Sequence, residues 1–157
     1  MRFEAGAGFS VRSADVDRSF ALTQFLLSNQ AIAGAFGQDG DPAVIAVPVA
    51  AQSQDRYVFA TPAGYGSNFV TIFRRVGTTI ELDGVEIAGT SKAAGRIAGA
   101  AWEFTHRQLS VGSHTIRSLD ETPFGIVATG YDEEVSYDCP GGSGFEGLSE
   151  PPPPPAD

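Results

Sequence analysis

The stretch Asn68-Phe69-Val70-Thr71-Ile72-Phe73-Arg74 constrains the fold most, because its aromatic and β-branched residues fit a pleated, half-buried strand. After it, in Thr78-Thr79-Ile80-Glu81-Leu82, Ile80 and Leu82 point to one side and Glu81 to the other. Asp83-Gly84 then predicts a two-residue hairpin turn, since both residues tolerate positive φ, with Val85 and Ile87 returning on the same buried face. Further strands are expected at residues 8–12, 20–27, 43–47, 56–60, 101–105, 114–118, 124–131 and 135–137. Helical stripes are hard to find; even Ser91-Lys92-Ala93-Ala94 is interrupted by Gly95 and Gly99.

Turn chemistry separates these segments, most firmly at Gly37-Gln38-Asp39-Gly40-Asp41-Pro42, Thr61-Pro62-Ala63-Gly64-Tyr65-Gly66 and Pro140-Gly141-Gly142. About ten short strands with such spacing imply an all-β fold, a two-sheet antiparallel sandwich or a jelly-roll-like arrangement, because a lone sheet would leave one apolar face wet. A chain of 157 residues suits one domain, placed at residues 1–147. Residues 148–157 carry the run Pro151 to Pro155, which cannot join a sheet and reads as a polyproline II tail or linker.

The net charge of −9 argues against nucleic acid, whose phosphates require clustered Lys and Arg. Basic residues stop at Arg117, and the acidic remainder reads as a solubilising surface or as a site for a cation or basic partner. No apolar run is long enough to span a bilayer as a helix, and Met1-Arg2-Phe3-Glu4-Ala5-Gly6 lacks the apolar core of a signal peptide. Export is therefore expected to use another route or an upstream segment. Cys139 is the only cysteine, which leaves an incidental turn thiol or a bridge to another chain.

A series of short motifs runs in order along the chain: Gln24-Phe25-Leu26, Gly40-Asp41-Pro42-Ala43, Tyr57-Val58-Phe59-Ala60-Thr61-Pro62, Tyr65, Asn68-Phe69-Val70, Leu82-Asp83-Gly84, Gly112-Ser113-His114-Thr115-Ile116, Phe124-Gly125-Ile126 and Gly130-Tyr131. With the closing Val135-Ser136-Tyr137 and Pro140-Gly141-Gly142, the series resembles the N-terminal domain family of the IgGFc-binding protein, over residues 8–142. The resemblance implies an all-β extracellular module of the kind found in bacterial surface and secreted proteins, and brings no catalytic or ligand residues with it. Family domains usually extend further upstream. Two readings follow: the C-terminal half of such a domain, or a shortened version whose open sheet edge another subunit fills.

Asp132, Glu133 and Glu134, with Asp138, form the densest acidic group and are the candidate Ca²⁺ ligands, against the simpler reading of a solvated hairpin loop. Asp39-Gly40-Asp41 offers two more carboxylates but lacks the ligand spacing of a calcium loop and reads as a turn. His114 is expected to make a structural hydrogen bond near a sheet end; a zinc pair with His106 is disfavoured by Gly112 between them. A triad of Ser143, His114 and an Asp lacks the final Gly of a nucleophile elbow, and Gly6-Ala7-Gly8 lacks the strand and helix of a dinucleotide loop. Trp102 is expected in the core or its rim, and Tyr65, in a Gly-rich turn, at an exposed contact surface.

No catalytic constellation emerges. The sequence therefore reads as a non-enzymatic extracellular binding, adhesion or self-assembling structural module, acting through loops and sheet edges on a protein or polysaccharide surface or on copies of itself as a homo-oligomer or filament. The alternative is a carbohydrate-binding module with optional Ca²⁺.

Overall fold

The computed structural model describes residues 11, 13–15, 20–31, 40–48, 50–87, 91–97 and 99–142. Among them are eleven strands: β1 (Thr23–Leu26), β2 (Ala43–Ala46), β3 (Arg56–Thr61), β4 (Ser67–Arg75), β5 (Ile80–Leu82), β6 (Val85–Glu86), β7 (Lys92–Ile97), β8 (Ala100–Leu109), β9 (Gly112–Ser118), β10 (Gly125–Asp132) and β11 (Val135–Pro140). All pairings are antiparallel. The strands form a five-stranded sheet in the order β11-β10-β4-β8-β7, a four-stranded sheet β3-β9-β5-β6 and a small sheet β1-β2 that packs against β11. The fold is the expected all-β sandwich, with a third sheet added to the two.

Alternation in β4 sets the arrangement. Asn68, Val70, Ile72 and Arg74 are buried, while the residues between them are more open. Val70, Ile72 and Ile126 meet Tyr57, Ile80 and Ile116 of the opposite sheet in one apolar cluster completed by Phe124. Burying such side chains contributes roughly 1.5–3 kcal/mol each. Tyr57 ties the sheets together as well: its hydroxyl donates to the Phe124 carbonyl at 2.5 Å and accepts from the Gln54 N–H at 2.9 Å. At the edge of this seam the buried Arg74 Nε donates to Glu103 Oε1 at 2.9 Å, so the one charged side chain facing inward from β4 has a matched partner.

Asp83 and Gly84 take φ values of 50° and 80°, as the predicted hairpin turn requires. Ile80 is fully buried and Ile87 packs on the core, but Val85 is 69% exposed, because the two-residue strand β6 lies at the sheet edge beyond the apolar cluster. Lys92–Ile97, where no strand was expected, pairs with β8 around a register shift between Ala93 and Gly95. Gly95, at φ 94°, lets the strand absorb the extra residue as a bulge, which disguises its period. The expected strand at 8–12, apart from Val11, and the tail at 148–157 lie outside the described residues.

Gly130 of β10 faces inward, and the ring of Tyr137 lies across it so that the Tyr137 hydroxyl reaches Asn68 Oδ1 at 2.7 Å. A Cβ on residue 130 would sit 2.0 Å from that ring. Gly130→Ala is therefore expected to cost about 1–3 kcal/mol by overpacking, measured by urea unfolding. In a Tyr137→Leu background, with the ring gone, the same substitution is expected to cost much less.

Candidate functional site

Five segments meet at one end of the sandwich: the β3–β4 connection at 62–66, the β5–β6 turn at Asp83 and Gly84, the β8–β9 turn at Ser110 and Val111, the β10–β11 turn at Glu133 and Glu134, and the Gly40-Asp41 segment. Side chains fasten them to one another. Thr61 Oγ1 donates to the Ser110 carbonyl at 2.7 Å and accepts from the Gly112 N–H at 3.0 Å. His114 Nδ1 lies 2.7 Å from Asp83 Oδ2, and Nε2 lies 3.0 Å from the Ser110 carbonyl, so each ring nitrogen faces an oxygen acceptor. Asp83 Oδ1 accepts in turn from the Thr115 N–H at 2.8 Å. Asp132 Oδ2 accepts from the Gly66 N–H at 2.7 Å, and the Asp132 carbonyl from the Gly40 N–H at 3.0 Å.

His114 does make the structural bond to backbone expected of it, and a second bond that the sequence did not reveal. Its carboxylate partner, Asp83, was read only as a turn former; the Asp side chain in fact spans a turn and a strand 31 residues apart. Thr61, His114 and Asp83 together resemble a hydroxyl, imidazole and carboxylate relay. Thr61 and His114 are only 3% and 4% exposed, however, and the Thr61 hydroxyl is committed to a carbonyl, so this row works as a fastening. Ser143, the nucleophile of the paper triad, and Gly6-Ala7-Gly8 lie outside the described residues.

The acidic candidates are spread out rather than convergent. Asp132 is engaged by the Gly66 and Glu133 N–H groups, Glu133 and Glu134 are exposed in the turn, and Asp138, further along β11, accepts from Thr129 Oγ1 at 2.8 Å. Partial burial pushes the Asp138 carboxyl above its ordinary range, against the pull of that hydrogen bond. Among the described residues no group of three or more His, Cys, Asp or Glu is placed to hold a metal ion. Asp39 lies outside the described residues; Asp41 donates its N–H to Ser136 Oγ at 2.9 Å, and Gly40 takes a φ of 119°.

Tyr65 is half-buried, its ring edge-on to Tyr137 at 4.8 Å, so it supports the surface at this end as much as it forms part of it. His106 belongs to the other sheet, stacked on Phe69 and 3.0 Å from Thr71 Oγ1, well apart in the fold from His114. Trp102 is buried, as expected, and borders a cleft of about 460 Å³ at the far end whose one charged lining residue is Arg75. Cys139 is exposed on β11 as a free thiol.

A family model described as IgGFc binding protein matches residues 1–130. The chain belongs to this family. The match starts ahead of residue 8 and stops before the closing 135–142 segment, so it takes in β1 to β9 and most of β10. Four of the five segments at the turn-bearing end fall inside it; the β10–β11 turn falls outside. No curated protein and no solved structure matches the chain. The IgGFc binding protein family is one of binding domains, and the all-β sandwich is consistent with that. Among the described residues no helix is long and apolar enough to cross a membrane.

The fastening has a pH signature. Partial burial disfavours ionised Asp83, but the hydrogen bonds from His114 and Thr115 and the charge of His114 outweigh it and hold this carboxyl below its ordinary range. A depressed acid stabilises the fold above its unfolded pKa, near 4 for Asp, and that contribution is lost as pH falls through the folded value. Wild-type stability is expected to fall below about pH 4, with a smaller drop in Asp83→Asn, as read by urea unfolding at stepped pH. At neutral pH His114→Ala is expected to cost on the order of 2 kcal/mol, because it removes a buried ring together with its bond to Asp83.

Proposed function

We propose that this chain is a non-enzymatic extracellular module that recognises the surface of a protein through its turn-bearing end. The observation that carries the reading is the fastening itself: Asp83, His114, Thr61 and Asp132 lock the backbone of neighbouring turns, although their exposed residues contribute little to the core. Turns held rigid before contact lose less entropy on binding than mobile ones. Glu134 keeps φ at 55°, a conformation that costs a non-glycine residue free energy and clusters at contact sites elsewhere.

The turns so held expose Ala63 and Val111, the latter 54% exposed, and at the same end of the sandwich the turn carboxylates of Glu133 and Glu134. An end that exposes both apolar and acidic residues suits a partner with basic and apolar contacts. The family's name refers to the Fc region of immunoglobulin G, an extracellular protein, which makes Fc one sensible probe among others.

The purified chain should be applied to protein arrays that include immobilised Fc, and to glycan arrays with and without EDTA. Binding to a protein probe that weakens about tenfold, or 1.4 kcal/mol, in both Ala63→Arg and Val111→Glu is the expected result. Binding indifferent to both substitutions, or silence on the protein array, overturns the proposal. An EDTA-sensitive glycan signal without a protein signal supports the carbohydrate module instead.

A further inference from the structure

The outer face of the four-stranded sheet carries one row of charges that crosses every strand. Arg56 of β3 stands opposite Arg117 of β9, Arg117 opposite Glu81 of β5, and Glu81 opposite Glu86 of β6. Within one copy only the middle pair is well matched, with Arg117 Nε donating to Glu81 Oε1 at 2.7 Å. The flanking neighbours are like charges set directly opposite each other, twice in one row, which is destabilising in a lone sheet. Among the described residues Arg56, with a side chain 74% exposed, pairs with adjacent Asp55 at 3.7 Å, a contact of little value in solvent.

The order of signs across the sheet is plus, plus, minus, minus. Turning such a row about an axis parallel to the strands, midway between β9 and β5, lays minus, minus, plus, plus over it. Each mismatch then finds its opposite: Arg56 faces Glu86 of a second copy, Arg117 faces Glu81, and the reciprocal pairs follow from the symmetry. The rest of the face is compatible with close approach. Val58, 76% exposed, is flanked by the small exposed residues Ala60, Ser113 and Thr115, and Val58 would cover the Asp83-Gly84 turn opposite.

We infer that two copies of this chain associate face to face through the outer surface of the four-stranded sheet, about a two-fold axis parallel to the strands. Aligned stacking of this kind is a common packing of sheets. The face covers on the order of 400 Å² per copy, about half of the ~800 Å² per partner in a stable complex. The association is accordingly reversible and concentration-dependent. With a net charge of −9, copies repel in unmatched orientations, which makes the matched row the determinant of geometry.

An axis parallel to the strands leaves both turn-bearing ends pointing the same way. Resting on the proposed function above, the dimer would present two binding ends to one surface and gain from effective concentration. The dimer itself does not depend on that reading, and its test needs no ligand.

The test exchanges one charge at each end of the row, on exposed edge-strand positions, leaving the Arg117–Glu81 pair intact. Sedimentation velocity of wild type is expected to show a monomer–dimer equilibrium weakened by high salt. R56E and E86R should each raise the dimer Kd by about tenfold or more, since each places like charges together twice. Mixed in equal amounts they restore every pair, and a heterodimer of wild-type strength should form. Circular dichroism confirms that both variants fold. Wild type that stays monomeric at its highest soluble concentration overturns the inference, as does a mixture no stronger than either variant alone. Neither result bears on binding by the turn-bearing end, which the arrays test separately.

Discussion

The apolar seam between the two large sheets is the contact on which the other features depend. Ile72, Val70 and Ile126 on one side and Ile80, Ile116 and Tyr57 on the other form a single cluster. Without it neither sheet would have a dry face, and a sheet with two wet faces has little to fix its register. Once the seam is closed, alternation dictates the rest: even-numbered positions of β4 are inside, so Phe69, Thr71 and Phe73 must face out. The same logic in β3 and β9 puts Tyr57, His114 and Ile116 inside and Arg56, Val58 and Arg117 outside.

Polar groups at the ends of the seam, with Thr61, His114 and Arg74 among them buried, convert packing into geometry. His114, Asp83, Thr61 and Ser110 close one end; Arg74 and Glu103 sit at the other, with the Ser91 hydroxyl donating to Glu103. Buried polar groups are costly when unpaired and strongly directional when paired. A greasy seam alone would tolerate small slips between the sheets, whereas these bonds are satisfied in one alignment. The turns at the His114 end are thereby positioned by the interior, while their exposed residues remain available for contact.

Much of the architecture was legible in the sequence. The β4 segment, the Asp83-Gly84 hairpin and the β10–β11 pairing follow from alternation and turn chemistry, because their side chains respond mainly to near neighbours. β7 was illegible because Gly95 breaks its alternation at a bulge. Val85 was misplaced for a related reason: alternation tells which way a side chain points, and whether anything lies there to bury it depends on how far the opposite sheet extends. The family resemblance, carried by many weak motifs in order, was also readable from sequence and agrees with the matched span at 1–130.

The sequence by itself determined that this chain would be all-β, that it would need two stacked sheets, and that His114 would serve structure, since each depends on residue type and local spacing. Only the tertiary structure decided which distant groups became neighbours. It joined Asp83 to His114, set Tyr137 across Gly130 to reach Asn68, kept Asp132 apart from Asp138, and aligned Arg56, Arg117, Glu81 and Glu86 into one row. The physical reason is register: the pairing of strands far apart in the chain is fixed by the burial of whole faces at once, a collective property that no short window of residues contains.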